Sequence, residues 1–540
     1  MPKNVINIEV LGYSIPISAD EDSEYLERLL ETYRQKLDNI QQTTGLKDPT
    51  KTAILTGFLL CDECEKTRFE KTRFEKTRFE KTTSENNTGE EEHHSQAIHL
   101  INDETKEAEH LTLSLISKLG KLLDLDEYTK ELKIFRLQNI IKNYEWGSRD
   151  WIPDLLNKMN VNQMPWAELW MGVHPEGQSK VIDIFAGENP QTETALLLSE
   201  LISRDKKHYL GNTGFDTLPF LFKVLAAEKP LSIQAHPSLE QAQEGWARES
   251  SSGIDLESPL RNYRDPSHKP EIICALSPFT AMVGFRETEE IKTLLMDFFD
   301  DASRSLKAAI FPLINALDRK NDDDENPLKK FLSALFSMTE ETRADLSDYA
   351  INLNKHKKEW ELIKQFASLY PGDPAIISPL YLNIIDLEPG DAIFIPSGML
   401  HAYIHGLGIE LMANSNNVLR GGLTNKHIDT HELLNVLDFK SYKPLIFEEN
   451  KNENIYTYPV LCREFSLCVI KGGMGEDYSY PESGPSIILV TNGELTLTIN
   501  DRTISLKKGE SAFIPANDGK IMLSGDFTLY AAGIGNENSC

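Results

Sequence analysis

The possible folds of this chain are limited most by a set of potential metal ligands, which lie far apart in the sequence on strand-like segments. These residues are Gln234, His236, Glu271 and His401. Successive side chains of a strand point to opposite faces, so Gln234 and His236 would share a face across Ala235. Two imidazoles, one carboxylate and one amide oxygen suit zinc or a neighbouring divalent ion, and they leave room for water or substrate. The sequence therefore predicts a catalytic metal centre, not a closed structural one.

Charge and composition exclude several classes of function. The chain has 540 residues, and its 56 Lys and Arg against 84 Asp and Glu give a net charge of −28. This balance disfavours a general nucleic-acid or anionic-membrane surface, so a small anionic substrate needs a local basic pocket. No run of about 18 apolar residues occurs, and we expect a cytoplasmic protein. Six scattered cysteines do not predict a disulfide framework, although Cys61 and Cys64 have CxxC spacing in a helical stretch.

A low-complexity segment separates the beginning of the chain from the remainder. Residues 65–81 repeat Glu-Lys-Thr-Arg-Phe three times and start a fourth copy, and a polar, acidic run follows. Five-residue spacing makes the phenylalanines spiral round a helix, so they form no single buried face. We interpret residues 66–130 as a linker with helical parts, and a partner-binding helix is the alternative.

The first 65 residues predict a compact hairpin–helix–helix module. Ile6, Ile8 and Val10 alternate with polar residues before a turn at Gly12, which indicates a hairpin, and two helical patterns follow. With the segments 8–12 and 20–26, this order resembles the ZapA family of cell-division proteins. The resemblance implies self-association and binding of a tubulin-like division protein through residues 1–65, and a generic helical dimerisation arm is the alternative.

From about residue 134 the sequence is typical of a large mixed enzyme. The stretches that carry the pattern are 143–148, 165–175, 218–225, 268–271 and 389–426. They resemble the type I mannose-6-phosphate isomerases over residues 134–540. The most specific part is the segment from His401 to Thr424.

This resemblance implies a mixed, mainly β fold built of cupin-type β-barrels, and the spacing supports it. Gly390, Pro396, Gly398 and His401 have the spacing of the second cupin motif, in which a glycine turn leads into a strand that carries a histidine. A second copy around Gly509 is followed by no histidine, which predicts a degenerate, metal-free barrel. We expect a catalytic cupin domain at 131–286 and 376–440, a helical insertion at 287–375, and the degenerate barrel at 441–540.

The resemblance also implies a function and a set of roles. The expected activity is zinc-dependent isomerisation of D-mannose 6-phosphate and D-fructose 6-phosphate, with one ion per chain. Such a reaction needs stabilised charge on two neighbouring oxygens and a positioned base. The resemblance points to Lys223, His268, Lys269, Glu410 and Arg420 as catalytic residues. Of these, His268 or Lys269 would transfer the proton, with Glu410 a further candidate, and Arg420 would stabilise charge or open the sugar ring.

Four residues are expected to bind the sugar phosphate. Lys426 and Arg420 would bind the phosphate, and Ser232 and Trp146 would line the substrate pocket. Lys269 is alternatively an ion-pair partner of Glu271 across the rim of the barrel, and Arg420 is alternatively a loop clamp. Trp146 is interpreted as a core or pocket-wall residue, with a sugar-stacking platform as the alternative. A different class of function is a cupin-based sugar-phosphate or metal sensor that acts as a division-site scaffold.

Overall fold

The computed structural model divides the chain into two compact units, Met1–Glu131 and Leu132–Cys540. In the first unit it describes residues 4–10, 13–19, 31–37 and the single positions 28, 56 and 60. In the second unit it describes residues 134–535, except 183–195, 319–324, 461, 482–483, 500–501 and 517–518.

The first unit contains the predicted hairpin. Strands β1 (Asn4–Val10) and β2 (Tyr13–Ala19) pair antiparallel, with Ile8 opposite Ile15. Residues 31–37 are helical, and the second predicted helix is described at positions 56 and 60, both of them helical. The CxxC pair and the five-residue repeats lie outside the described residues.

The second unit is mainly β, as the sequence predicted. In chain order its strands are β3 (Phe135–Gln138), β4 (Ile140–Lys142), β5 (Glu168–His174), β6 (Gly177–Gln178), β7 (Lys180–Val181), β8 (Leu196–Leu197), β9 (Phe220–Ala227), β10 (Ile233–Ala235), β11 (Glu271–Ala275), β12 (Phe279–Phe285), β13 (Leu382–Leu387), β14 (Ala392–Ile395), β15 (His401–Ala413), β16 (Leu419–Gly422), β17 (Ile446–Phe447), β18 (Ile455–Thr457), β19 (Ser466–Gly472), β20 (Asp477–Ser479), β21 (Ser486–Ile499), β22 (Arg502–Lys507), β23 (Ser511–Ile514) and β24 (Ile521–Gly533).

Helices connect these strands and form the predicted insertion. They are α1 (Trp151–Leu155), α2 (Leu198–Arg204), α3 (Lys206–Leu210), α4 (Leu239–Ser251), α5 (Thr288–Phe298), α6 (Arg304–Ala316), α7 (Pro327–Phe336), α8 (Glu340–Asn352), α9 (Lys358–Leu369), α10 (Ser378–Tyr381), α11 (Thr430–Val436) and a 3-10 turn at Pro374–Ile377. No helix among the described residues combines the length and the apolar character that crossing a bilayer requires.

The larger sheet carries the predicted ligands. Its described strands follow the order β17-β14-β11-β15-β9-β5-β4, with β10, β12, β13, β16 and β6 attached beside this path. The first half of β15 pairs with β10 and β12, and its second half pairs with β9 and β11. Strand β15 is therefore the corner at which two parts of the barrel meet.

Gly406 makes this corner possible. Its φ of +134° is unfavourable for other residues, and a Cβ there would lie 2.6 Å from the Phe279 ring and 2.8 Å from the Pro278 oxygen. The register also shifts between Thr280 and Ala281 on β12. Both faces of β15 are buried, and the polar side chains that reach the interior change from the odd positions His401 and Tyr403 to the even position Glu410.

The helical insertion orients the strand that precedes His236. Helices α5 to α9 share a buried apolar core with Ile233 and Ala235 of β10. Because these two residues face the helices, the intervening Gln234 faces the opposite side of the strand. The local alternation that the sequence predicted for this segment is therefore present.

The C-terminal sheet follows the order β18-β19-β24-β21-β23-β3-β7-β8, with β20 and β22 beside it. It thus includes strands from residues 135–197 as well as from residues 455–533. The predicted apolar segment 134–141 is divided between the two sheets, because β3 pairs with β23 and β4 pairs with β5. This shared segment connects the barrel that carries the predicted ligands and the C-terminal barrel.

Candidate metal centre and active site

Three of the predicted ligands converge inside the larger barrel. One ligand atom each of His236, Glu271 and His401 lies within 4.8 Å of the others. Glu271 Oε1 is 2.7 Å from His401 Nε2, and Glu271 Oε2 is 3.5 Å from His236 Nε2. All three side chains are buried. Among the described residues, these three side chains form a group that could hold a metal ion.

Strand register explains the convergence. Glu271 begins β11 opposite Met412 of β15, and His401 is the first residue of β15. Gln234 on β10 pairs with His401 on one side and with Arg420 of β16 on the other. The structure therefore places Gln234, the fourth predicted ligand, beside this group.

Hydrogen bonds to backbone carbonyls fix the tautomers of both histidines. His236 Nδ1 lies 2.7 Å from the Asn417 oxygen, and His401 Nδ1 lies 2.9 Å from the Met399 oxygen. A carbonyl oxygen only accepts, so each Nδ1 carries a proton and each Nε2 is left to serve as a ligand atom. Burial and the nearby Lys269 lower the pKa of His236 to about 4, which keeps this ring neutral.

The donor set fits a divalent cation. His401 Nε2 is buried and forms no hydrogen bond of acceptable geometry, although it lies 2.7 Å from a carboxylate oxygen of Glu271. A lone pair facing a carboxylate at this distance is repulsive unless positive charge lies between them. Although burial opposes ionisation, the charge of the adjacent Lys269 holds the pKa of Glu271 well below its usual range. An anionic carboxylate and two neutral imidazoles are ligands that zinc accepts.

Lys269 lies directly against these candidate ligands. Its Nζ is 3.0 Å from Glu271 Oε2 and 3.3 Å from His236 Nε2, and the side chain is buried. The ion pair with Glu271 that the sequence offered as an alternative is therefore present, but it lies in the interior of the barrel, not at the rim.

Lys223 and Glu410 form a second buried pair on neighbouring strands. Lys223 Nζ lies 2.8 Å from Glu410 and 3.9 Å from Glu168, and Glu168 accepts a hydrogen bond of 2.6 Å from the Trp170 ring. Burial opposes charge on Lys223, but the two carboxylates outweigh it and raise its pKa. Burial also raises the pKa of Glu410 against the effect of Lys223. A carboxyl group with a raised pKa is suited to accept and return protons.

A group of cations lies at the end of β16. Burial and repulsion by Arg264 lower the pKa of Arg420, and burial, Arg420 and Arg264 lower that of Lys426. Arg420 is partly buried and Lys426 is exposed. Mutual repulsion among cations is relieved when an anion binds, which suits a phosphate.

The remaining predicted residues occupy different positions. Ser232 is partly buried and immediately precedes β10. Trp146 stacks on Tyr144 at 5.6 Å and packs against the apolar cluster that contains Tyr403, so it forms part of a wall. His268 Nε2 lies 2.8 Å from Glu464 of the C-terminal barrel, and the described contacts do not join it to the three metal-ligand candidates.

Sequence reasoning missed several residues of the site. Tyr403 donates a hydrogen bond of 3.3 Å to Glu271, and Asn417 supplies the carbonyl that orients His236. Both belong to the specific segment after His401, which is the signal that could have identified them. Glu168 and Trp170 alternate on β5, and strand periodicity could have placed them on one face.

Comparison with known proteins agrees with this geometry. The family model "Phosphomannose isomerase type I, catalytic domain" matches residues 134–288, and the model "Mannose-6-phosphate isomerase, cupin domain" matches residues 454–532. The model "Cell division protein ZapA" matches residues 6–87, so the similarity seen in the N-terminal sequence is confirmed.

Individual relatives give the same result over most of their length. The mannose-6-phosphate isomerase of Escherichia coli (strain K12) is 36% identical over 397 residues, which cover 72% of this chain and 97% of the relative. A probable mannose-6-phosphate isomerase of Caenorhabditis elegans is 31% identical over 427 residues, which cover 74% and 95%. A zinc-bound crystal structure of a mannose 6-phosphate isomerase superposes with a TM-score of 0.66 at 34% identity, covering 75% of this chain and 100% of that one. The chain therefore belongs to the type I mannose-6-phosphate isomerase family.

Proposed function

We propose that this enzyme uses zinc to interconvert D-mannose 6-phosphate and D-fructose 6-phosphate through a cis-enediol, in the cytoplasm. The convergence of His236, Glu271 and His401 carries the proposal. The names of the relatives and the zinc in a similar structure support the substrate and the metal. Because these relatives are isomerases, the sensor alternative has no support from them.

The proposed ligands are Gln234, His236, Glu271 and His401. When bound there, zinc supplies the positive charge that stabilises an enediolate developing on the C1 and C2 oxygens of the sugar.

The phosphate end of the substrate fits the cations beside β16. We assign Arg420 and Lys426 to bind the phosphate, because burial and repulsion by Arg264 lower the pKa of both groups and a bound anion would relieve that repulsion. Arg420 pairs in register with Gln234, so the phosphate-binding cations and the metal ligands would lie close enough to contact one small molecule. Ser232 and Trp146 line the space between them in this proposal.

Proton transfer between C2 and C1 needs a group near the metal ligands. Lys269 satisfies this requirement of position, since its Nζ lies within 3.3 Å of two of them. As the neutral amine it would accept the proton from C2 and, as the resulting ammonium, return it to C1. Glu410, held by Lys223, is the second candidate because its pKa is raised. His268 is engaged by Glu464, so we assign the transfer to Lys269 in preference to His268.

A coupled assay of mannose 6-phosphate isomerisation tests the function. Turnover should disappear on chelation and return with zinc, and His401→Ala should lose both zinc and activity. His405→Ala is the matched control, because His405 is exposed on the same strand. A chelation-resistant activity, or equal losses in the two variants, would contradict the metal assignment.

Separate variants test the roles of individual residues. Lys269→Met should abolish solvent-hydrogen exchange at C2, and Glu410→Gln should slow it. Arg420→Met and Lys426→Met should raise KM for the phosphorylated sugar. Full C2 exchange in Lys269→Met would remove this residue from the transfer step.

The N-terminal unit has a separate proposed role. The ZapA match supports self-association, or binding of a tubulin-like division protein, through residues 1–65. Deletion of residues 1–95 should leave turnover intact and change self-association or cell position. A large fall in kcat after this deletion would contradict an independent role.

A further inference from the structure

Among the described residues, Glu464 of the C-terminal barrel contacts the active-site region. Glu464 lies in the loop between β18 and β19, and its Oε1 accepts a hydrogen bond of 2.8 Å from His268 Nε2. The other carboxylate oxygen accepts a bond of 3.0 Å from the Cys462 thiol. Burial opposes ionisation of Glu464, but the bonds from His268 and Cys462 outweigh it and lower its pKa to about 2. Glu464 is therefore a fixed anion at the junction of the two barrels.

Within the described part of the chain, the segment around His268 is held by backbone hydrogen bonds on both sides of this residue, but not at the residue itself. Upstream, the Asn417 side chain bonds to the Arg264 nitrogen at 2.7 Å and donates to the Ser267 oxygen at 2.9 Å. Downstream, the Ala413 nitrogen donates to the Pro270 oxygen at 3.1 Å. Between these anchors, neither His268 nor Lys269 forms a backbone hydrogen bond among the described residues.

The two residues without these backbone hydrogen bonds, His268 and Lys269, lie next to the metal-ligand candidates. Lys269 is one of the two residues that lack a backbone hydrogen bond among the described residues, and its side-chain Nζ lies 3.0 Å from Glu271. The Glu464 contact is the hydrogen bond that holds His268, the other of these two residues. Displacement of this two-residue span would move Lys269 relative to the metal ligands, and misplacement by about 1 Å can cost a factor of about 100 in rate.

We propose that Glu464, through His268, is a positioning residue by which the C-terminal barrel fixes Lys269 in the active site. The loop 462–465 thereby gives the degenerate barrel a part in the reaction, although that barrel contributes no metal ligand among the described residues. The kinetic consequence rests on the proposed function, but the structural consequence does not.

A double-mutant cycle in the zinc-loaded full-length enzyme tests the inference. Glu464→Ala and His268→Ala should each lower kcat about 10-fold or more with little change in KM, because the phosphate-binding residues are untouched. The double variant should be no slower than the slower single variant. Glu510→Ala is the matched control, since it removes an ion pair of 3.1 Å with Arg136 at another position in the C-terminal sheet, and it should leave kcat unchanged.

Hydrogen–deuterium exchange gives a readout independent of turnover. A peptide covering residues 264–275 should exchange faster in Glu464→Ala than in Glu510→Ala, while the melting temperatures of the two variants remain similar. The proposal would be overturned if the loss of kcat in the double variant equalled the product of the losses in the two single variants. Equal exchange rates in Glu464→Ala and Glu510→Ala would also overturn it. If the wild type fails to isomerise mannose 6-phosphate, the proposed function fails, and the exchange experiment still decides whether Glu464 fixes this segment.

Discussion

Replacing Lys223 by methionine should destabilise the enzyme in a pH-dependent way. The Lys223 ammonium lies 2.8 Å from Glu410 and 3.9 Å from Glu168, and all three side chains are buried. At an effective dielectric constant near 20, these attractions correspond to about 6 and about 4 kcal/mol. Desolvation of the lysine offsets part of this energy. Loss of one partner from a buried pair is therefore expected to cost about 3–5 kcal/mol, because the remaining charge is unpaired.

The pH dependence follows from the two carboxylates. Without Lys223 the pKa of Glu410, already raised by burial, rises further above its value in the unfolded chain. The folded variant then binds protons more tightly than the unfolded chain, so its stability falls as pH rises from the unfolded pKa through the folded pKa. The difference between wild type and Lys223→Met should be large at pH 8 and smaller at pH 5.

Thermal unfolding of zinc-loaded protein at both pH values measures this effect. We expect the melting temperature of Lys223→Met to be lower by roughly 4–10 °C at pH 8, and a second substitution, Glu410→Gln, should restore part of the loss. Lys206→Met is the control, because its pair with Asp216 is as short, at 2.7 Å, but exposed, and it should cause no measurable shift. A Lys223→Met shift equal to the control, or one that grows on acidification, would refute the reasoning.

Three further predictions concern the metal, the barrel corner and the apoprotein. Tyr403→Phe removes the hydroxyl donor to Glu271, the proposed carboxylate ligand, so the dissociation constant for zinc should rise about 10-fold in competition with a chromogenic chelator, and an unchanged constant would contradict this role. Gly406→Ala should lower stability by roughly 2–4 kcal/mol through strain and overlap, whereas Gly253→Ala, with a φ of +73° and no atom within 4 Å of the added Cβ, should cost less in the same urea titration. Burial and nearby lysines lower the pKa of His174 and His236 to about 4. The unfolded chain therefore binds more protons between about pH 4 and 6.5, and zinc-free protein should gain stability as pH rises through this window; a flat profile would be inconsistent with both shifts.

The metal-ligand candidates could be predicted because each stands in a local pattern. Alternation on β10 places Gln234 and His236 on one face, and the glycine–proline spacing before His401 indicates a turn into a strand. Such patterns depend on a few neighbouring residues, which a single sequence contains in full. The helical insertion was predictable for the same reason, since Ile291, Leu294 and Phe298 recur at helical spacing and are buried.

The position of Glu410 could not be obtained from alternation alone. His401 and Glu410 are nine residues apart on one strand, so strict alternation places their side chains on opposite faces. The positive φ of Gly406 and the register shift on β12 change the facing of the strand, and Glu410 reaches Lys223 in the interior. A glycine in a strand indicates a possible bend, but its direction depends on Phe279, which lies on another strand.

Glu464 belongs to a third category, in which no local pattern exists. It lies 196 residues from His268, in a loop whose sequence has no periodicity, and it acquires its role only when β18 and β19 place that loop against the catalytic barrel. A charged loop residue is usually solvated, so from residue type alone Glu464 would be assigned to the solvent-exposed surface. Residues that bind a metal or perform chemistry are constrained by their own side chains, whereas a positioning residue is constrained only by its partner. Because that constraint lies entirely in the tertiary structure, such residues are the part of an active site that a single sequence is least able to reveal.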